Sequence, residues 1–362
     1  LSENRYEWCV TYLATVCGTG VIVPIDKELP QGEKLNLLSI SNVSAIVFSK
    51  KYLSEIKNIK SELPNLKYFI CMDDIEDEGY VIYKELLEIG NIKLKEGENV
   101  FTHSNIDEKK MSMLIFTSGT TSLAKGVMLS HENILSNIKA IVQSININSS
   151  DVVISILPLH HTYECTANFL TMIANGVTIV FNEGLKQISK NIKEFKPTIL
   201  ILVPLILESI YNKIWEQASK MLFGKFKLKL AIKLSNSLLK LFNLDIRKRF
   251  FKTILNGFGG QVRLIISGAA PINPNVSRGF NDIGIKVLQG YGLTEASPLV
   301  SFNREDNIKY ESVGLPIPGV TIKIDTPDAN GLGEVLVKGD NIMLGYYNNI
   351  EATNEILQGG WL

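Results

Sequence analysis

Short apolar runs rich in β-branched residues recur along the chain, and they constrain its fold more than any other feature. They lie at residues 21–23, 45–48, 68–70, 113–116, 152–157, 177–181, 199–203 and 264–266. Turn-forming Gly, Pro, Asp or Ser residues lie near their ends. Most runs are nearly continuous in apolar residues, which is typical of strands buried on both faces of a sheet.

Helical periodicity separates these runs. Ser130 is predicted to cap a helix whose apolar face contains Ile134, Ile138 and Ile141. Helical spacing is also present at residues 163–175, 186–195 and 205–215. Strands that alternate with helices predict α/β layers with mainly parallel sheets.

The pattern changes after about residue 303. Residues 320–324 and 334–338 alternate apolar and polar side chains and are separated by turn residues, which predicts a small antiparallel barrel or sheet. We therefore expect a first α/β subdomain at 1–190, a second at 191–305, and part of a β-barrel at 306–362.

The composition is that of an ordinary globular protein, with 37 basic and 37 acidic residues among 362. This balance argues against a general nucleic-acid binder. No apolar run approaches the length of a membrane span, and we expect a cytoplasmic protein. The chain begins at Leu1 and stops without a polar tail, as expected of a piece of a longer protein. Its four cysteines, without C-x-x-C spacing, are expected to be buried free thiols: Cys9, Cys17, Cys71 and Cys165.

One segment, residues 216–256, is strongly basic. It holds ten Lys or Arg residues against only Glu216 and Asp245, with Leu and Phe interleaved at helical spacing. A basic amphipathic helical hairpin could contact an anionic membrane peripherally. The alternative is a solvated helix face whose lysines flank a buried leucine stripe.

The stretch 114–126 is an apolar strand followed by a hydroxyl- and glycine-rich turn that ends in Lys125. Such a turn can wrap a polyphosphate with its backbone N–H groups, hydroxyls and lysine. It is not the G-x-x-x-x-G-K-[ST] loop of kinases and GTPases, because Ala124 and Gly126 occupy two defining positions. An ordinary Ser/Thr-rich surface loop remains the alternative.

Two further turns follow predicted strands. Residues 267–271 are small, which leaves the backbone open to a flat ligand, although a tight turn that needs no side chains is the alternative. In residues 287–296, Tyr291 stands between two glycines, where it can lie against a purine ring. Glu295 is a suitable oxygen ligand for Mg²⁺ bound to substrate phosphates, or else a solvated carboxylate in an exposed turn.

The histidine pair at 160–161 does not predict zinc. We expect His160 and His161 to point in different directions in a regular backbone, and the chain's four histidines show no other metal-binding spacing. A histidine that lines a pocket at a strand-to-helix junction is the better interpretation.

Taken together and in this order, these motifs resemble the adenylate-forming superfamily, which includes acyl-CoA synthetases, firefly luciferase and peptide-synthetase adenylation domains. The resemblance extends from about residue 4 to residue 361, where Gly345-Tyr346-Tyr347 and Gly360-Trp361 complete the motif order. Residues 158–164 and the basic segment look most like bacterial long-chain fatty acid–CoA ligases. The resemblance implies a fold like the large domain of these enzymes. It also implies that the mobile C-terminal domain, the ribose-binding aspartate and a catalytic lysine would follow after Leu362.

The resemblance also implies roles for individual residues. A phosphate loop would contact the β- and γ-phosphates of ATP through Thr117, Ser118, Gly119, Thr120, Thr121 and Lys125. The adenine slot would contain Gly268, Ala269, Ala270, Gln289, Gly290, Tyr291 and Gly292. Thr294 would approach the α-phosphate, Glu295 would hold Mg²⁺, and His161 would line the acyl site.

The implied reaction joins a fatty acid to ATP, giving an acyl-adenylate and pyrophosphate, after which CoA displaces AMP. Because the acid is already ionised at neutral pH, the first step requires no general base. The alternatives are a fatty acyl-AMP ligase that loads a carrier protein and a non-catalytic nucleotide-binding relative. Ser122 and Ala124 depart from the Gly and Pro usual in the family's loop, which motivates the last alternative.

Overall fold

The computed structural model describes residues 1–117 and 124–362. Within these residues the strands are, in chain order, β1 (Ala45–Phe48), β2 (Tyr68–Cys71), β3 (Val81–Ile82), β4 (Met111–Thr117), β5 (Lys125–Ser130), β6 (Val152–Ser155), β7 (Thr178–Phe181), β8 (Ile199–Leu202), β9 (Leu264–Ser267), β10 (Lys286–Gly292), β11 (Leu299–Phe302), β12 (Leu315–Pro316), β13 (Thr321–Asp325), β14 (Glu334–Lys338) and β15 (Gly345–Tyr346). The α-helices are α1 (Tyr6–Ala14), α2 (Gln31–Ile40), α3 (Leu53–Glu62), α4 (Tyr83–Lys95), α5 (His131–Ser144), α6 (Thr171–Ala174), α7 (Ile188–Phe195), α8 (Pro204–Ser219), α9 (Gly224–Phe242), α10 (Arg247–Phe250), α11 (Lys252–Gly257), α12 (Pro274–Asp282) and α13 (Ile350–Ile356).

The described residues form two compact units. Unit 1 contains the parts of Leu1–Leu135 outside 118–123, together with Pro158–His161 and Ile342–Leu362, and unit 2 contains Ser136–Leu157 and Thr162–Asn341. The units are assembled from discontinuous segments, whereas the predicted subdomains are continuous. The division at residues 190 and 305 stays a prediction.

Unit 2 is built on a seven-stranded sheet of order β12-β11-β10-β9-β8-β6-β7. The pairs from β10 to β7 are parallel, and β11 and β12 are antiparallel additions. Alternate residues face two separate cores, with Ile201 and Ile266 in one and Leu202 and Ile265 in the other. Burial on both faces explains the continuous apolar runs, and the predicted α/β class is confirmed.

Unit 1 contains two smaller sheets. β1, β2 and β3 pair in parallel, and β15 and β4 flank β5 in antiparallel pairs. A third core lies around Phe48, Ile56 and Ile59. The predicted cap of α5 is confirmed, since Ser130 Oγ accepts from the Asn133 N–H at 3.1 Å and Asn133 Oδ1 accepts from the Ser130 N–H at 2.9 Å.

One predicted strand is wrong, and the structure refines two other sequence predictions. Residues 21–23 do not form a strand, because only Ile22 makes an isolated bridge, to Met113. Residues 163–175 form a π-helix, Tyr163–Leu170, that continues into α6. The antiparallel pair β13 and β14 is the part of the predicted small barrel that the structure shows.

All four cysteines are free thiols; Cys9, Cys71 and Cys165 are buried and Cys17 is partly buried.

Candidate nucleotide site

Two segments of unit 2 that the sequence analysis singled out, residues 268–271 and 290–295, lie at one edge of its sheet. β9 and β10 are parallel neighbours, with Ser267 opposite Gln289. The 268–271 turn follows β9 directly, whereas Gly290, Tyr291 and Gly292 are still the last residues of β10 and lead into the Thr294–Ala296 turn. The structure therefore brings the 268–271 turn and the 290–295 segment together within unit 2. The carboxyl ends of parallel strands are where α/β sheets bind ligands.

A tyrosine ring covers the start of the first turn. A Cβ added to Gly268 would lie 3.0 Å from Tyr163 Cζ, so the glycine allows the ring to pack against the backbone. The Tyr163 hydroxyl donates to the Ile266 carbonyl at 3.2 Å. Burial, reinforced by Glu164, raises the pKa of Tyr163 well above its usual value, so its hydroxyl keeps the donated proton. Ala269, with a φ of 69°, and Ala270 remain exposed at the surface of the turn.

The glycines around Tyr291 lie close to residues 298–302. Gly290 faces the side chains of Leu299 and Phe302 on β11, and Gly292 lies against the backbone of Pro298, just before β11. A Cβ on Gly290 would lie 2.9 Å from a Leu299 methyl carbon, and one on Gly292 would collide with the Pro298 carbonyl. Tyr291 itself is 39% exposed, which leaves its ring accessible to a planar ligand.

Thr294 and Glu295 lie on a short 3₁₀ turn, Thr294–Ala296, which backbone hydrogen bonds hold in place. The Leu293 N–H donates to the Pro298 carbonyl at 2.9 Å, and the Ala296 N–H donates to the Leu293 carbonyl at 2.9 Å. Both Thr294 and Glu295 are partly exposed. The turn thus presents a hydroxyl and a carboxylate at fixed backbone positions.

Two buried asparagines that the sequence analysis missed support this turn. Asn137 and Asn341 both donate to the carbonyls of Ala296 and Leu299, over distances of 2.8 to 3.3 Å. The Asn341 carbonyl also accepts from Ser297 Oγ at 2.8 Å. A single asparagine in a sequence gives no sign of such a role, because its acceptors lie far away along the chain.

The donor set fits a magnesium ion that is held mainly by substrate. Among the described residues no three His, Cys, Asp or Glu side chains lie together in a way that could hold a metal. Mg²⁺ usually takes one or two protein carboxylates and completes its octahedron with phosphates and water. A single partly exposed carboxylate, Glu295, satisfies that requirement.

Unit 1 holds the described part of the phosphate loop. Thr117 ends β4 and pairs with Lys125, the first residue of β5. The Lys125 Nζ atom lies 4.9 Å from the centroid of the Tyr346 ring. The predicted contacts of Ser118, Gly119, Thr120 and Thr121, and the departure at Ser122, lie outside the described residues.

The histidine pair also belongs to unit 1, and one expectation about it was wrong. The rings of His160 and His161 lie 4.5 Å apart at an interplanar angle of 42°, because residues 159–161 form a turn and not a regular element. His160 Nε2 lies 3.4 Å from Asp26 Oδ1 but does not make a hydrogen bond with proper geometry. Burial and then His161 lower the pKa of His160 to about 4. His161 is an exposed residue, but desolvation by nearby protein atoms still lowers its pKa, although Asp26 opposes this. Both imidazoles are therefore neutral at neutral pH.

A buried carboxyl group in unit 2 escaped the sequence analysis. Glu164 is fully buried in the π-helix, and its Oε1 accepts from Ser155 Oγ at 2.6 Å and from Asn168 Nδ2 at 2.8 Å. Its Oε2 has no hydrogen-bond partner. Burial raises the pKa of Glu164 to about 8, although hydrogen bonds from Ser155, Asn168 and the Leu157 N–H oppose the shift.

Comparison with known proteins identifies the family to which a chain with this fold and these turns belongs. The sequence profile described as AMP-binding enzyme matches residues 1–347, so the chain belongs to the AMP-binding enzyme family.

Individual relatives show which members of the family this chain is similar to. The chain is 31% identical over 385 residues to long-chain-fatty-acid–CoA ligase 5 of Rattus norvegicus, covering 100% of this chain and 56% of that protein. It thus spans about half the length of the curated relatives it matches. Among solved structures, an anthranilate CoA ligase in complex with anthranoyl-AMP matches with a TM-score of 0.76 at 21% identity, covering 100% of this chain and 63% of that one. The N-terminal domain of FACL13 from Mycobacterium tuberculosis matches with a TM-score of 0.70 at 20% identity, covering 100% and 80%.

Proposed function

We propose that this chain is the nucleotide-binding part of an AMP-forming long-chain fatty acid–CoA ligase. The observation that carries the proposal is the shared sheet edge of unit 2, where an open small-residue turn adjoins Tyr291 and the Thr294–Glu295 turn. Similarity to long-chain-fatty-acid–CoA ligases over the whole chain supports the substrate class.

In the first step a carboxylate oxygen of the fatty acid attacks the α-phosphorus of ATP. An O–P bond forms, the bond to the β-phosphate oxygen breaks, and pyrophosphate leaves. In the second step the CoA thiolate attacks the acyl carbon, a C–S bond forms, and AMP leaves.

The proposed residue roles follow from charge and placement. The acid is ionised at neutral pH, so catalysis depends on orienting it and on neutralising phosphate charge. Thr117, the loop residues 118–121 and Lys125 would contact the β- and γ-phosphates, and Thr294 would contact the α-phosphate. Mg²⁺ held by Glu295 would neutralise phosphate charge when bound.

The adenine ring would occupy the slot formed by residues 268–270 and 289–292. His161 would line the acyl site as a neutral imidazole, since desolvation by the surrounding protein lowers its pKa. A neutral ring can accept or donate one hydrogen bond there without an ion pair to the substrate carboxylate.

The proposal is tested by product analysis of the full-length protein with ATP, Mg²⁺ and palmitate. Mass spectrometry should detect palmitoyl-AMP without CoA and palmitoyl-CoA with it. Palmitoyl-AMP that CoA does not consume would favour an acyl-AMP ligase that loads a carrier protein. ATP binding without either product would favour a non-catalytic relative.

We also propose peripheral contact with anionic membranes through the basic segment. Phe226, Leu230, Leu234 and Leu241 of α9 share one face of the helix, and they are 49% to 72% exposed. Another face of α9 is partly buried, because Leu228 and Ile232 pack against a core of unit 2. The helix thus has features of both sequence interpretations: one apolar stripe packs against the core, and another is exposed.

Lysines accompany the exposed stripe, at positions 225, 227, 229, 233 and 240. Apolar side chains flanked by lysines suit the boundary between acyl chains and anionic headgroups. Among the described residues no helix is long and apolar enough to cross a membrane. The proposed contact is made by the exposed stripe of α9.

A further inference from the structure

A cation–π contact within unit 1 joins Lys125 to a tyrosine more than two hundred residues further along the chain. The Lys125 ammonium lies 4.9 Å from the centroid of the Tyr346 ring, within the range of an attractive contact. Tyr346 is only 5% exposed. Because the ring is largely shielded from water, its attraction for a cation is stronger than at an open surface.

Strand register produces this contact. β15 pairs antiparallel with β5, and Tyr346 lies opposite Val127. Opposed residues share a face of the sheet, and residues two apart along a strand share it as well, so Lys125 lies diagonally across from Tyr346. The Tyr347 N–H donates to the Gly126 carbonyl at 2.7 Å and continues the pairing to the first residues of β5.

The backbone of Tyr346 is itself anchored. Its N–H donates to Thr353 Oγ1 at 2.9 Å, and Thr353 lies in α13, which Asn349 caps by accepting from the Ala352 N–H at 3.0 Å. A Cβ on Gly345 would lie 2.7 Å from Thr353 Cγ2, and φ at Gly345 is 137°. Only glycine therefore permits this close approach.

We propose that Tyr346 is a positioning residue for Lys125. A free lysine stem loses much rotamer entropy when its ammonium is immobilised on a ligand. The Tyr346 ring restricts that freedom beforehand, so the charge is already oriented when a polyphosphate contacts Lys125. The inference rests on the proposed function, which assigns Lys125 to the phosphates of ATP.

The contact is tested without nucleotide by the rate at which an amine-acylating reagent labels Lys125, followed by peptide mass spectrometry. The Tyr346 ring lies against one side of the Lys125 amine and limits both its motion and the approach of the reagent. Tyr346→Leu should therefore raise the Lys125 labelling rate at least three-fold, and Tyr346→Phe, which keeps the ring, should retain the wild-type rate. Tyr347→Leu is the matched control, because its side chain points to the opposite face of the strand.

The positioning role is tested by calorimetric binding of ATP and of inorganic pyrophosphate. Tyr346→Leu should weaken both several-fold, and it should have no further effect when Lys125 is replaced by Met. An equal effect in the Lys125→Met background, or a Lys125 labelling rate unchanged by Tyr346→Leu, would overturn the inference. If Tyr346→Leu does not fold, Tyr346→Met serves in both measurements.

The two proposals can fail separately. If the wild-type chain binds neither ATP nor pyrophosphate, the proposed function is contradicted. The labelling rates in nucleotide-free protein still decide whether Tyr346 restrains Lys125.

Discussion

Gly292 lies directly against the carbonyl group of Pro298, so no side chain can be accommodated at position 292. The same carbonyl accepts from the Leu293 N–H at 2.9 Å. This close backbone approach closes the turn that carries Thr294 and Glu295. The placement of both proposed site residues therefore depends on the absence of a Cβ next to them.

Replacement of Gly292 by Ala should displace this turn. We expect Gly292→Ala to destabilise the protein by about 1–3 kcal/mol and to weaken ATP binding at least ten-fold, measured by thermal unfolding and calorimetry. The matched control is Gly90→Ala on α4, where an added Cβ meets nothing within 4 Å. That change should stabilise the protein by about 0.5–1 kcal/mol. If Gly292→Ala had the same midpoint of thermal unfolding and the same ATP affinity as wild type, the steric argument would be contradicted.

Glu164 should make stability depend on pH. Its pKa is about 8 in the folded chain and 4.5 in an unperturbed carboxyl, so the folded state holds the proton more tightly. The stability it contributes is complete below about pH 4.5 and is lost as the pH rises through 8.

Glu164→Gln removes the ionisation and keeps an oxygen acceptor. Relative to wild type, its midpoint of thermal unfolding should be similar at pH 5 and higher at pH 8 by on the order of a few degrees. Glu194→Gln, at an exposed position, is the control and should show no such difference. Parallel pH profiles for wild type and Glu164→Gln would show that the buried carboxyl does not titrate in this range.

The exposed stripe of α9 should bind anionic vesicles. We expect sedimentation with phosphatidylserine vesicles but not with phosphatidylcholine vesicles, and release at 0.5 M salt. Replacing Phe226 and Leu230 together by Ser should lower the partition coefficient at least ten-fold, since each buried side chain contributes about 1.5–3 kcal/mol. Leu87 and Ile92 are exposed on α4 and provide the control pair. Equal binding by both double variants would exclude α9 as the contact surface.

The sequence was a reliable guide where burial dominates. β8 and β9 were predicted from continuous apolar runs, and the structure buries every one of their residues. Ser130 was predicted as a cap because its hydroxyl acts within three residues of itself. Features that depend on neighbouring residues or on a repeated pattern are therefore accessible from sequence.

Features that depend on segments far apart in the sequence could not be inferred from it. Gly290 and Gly292 were singled out in the sequence, but their close contacts with residues 298–302 could not be foreseen. The pairing of Asn137 and Asn341 on one turn cannot be inferred from either residue alone. The π-helix that holds Glu164 was predicted as an ordinary helix, since side-chain periodicity does not reveal an extra residue in one turn. Tertiary context decided each of these cases.

The most direct test of the central proposal is ATP–pyrophosphate exchange by the full-length protein in the presence of palmitate. Glu295→Ala should reduce the exchange rate about 10²–10³-fold, which corresponds to roughly 3–4 kcal/mol for one preorganised electrostatic group. Glu334→Ala, at an exposed position of β14, should exchange like wild type. Palmitate-dependent exchange that is lost only with Glu295 would support adenylation at this site, and near wild-type exchange by Glu295→Ala would contradict it.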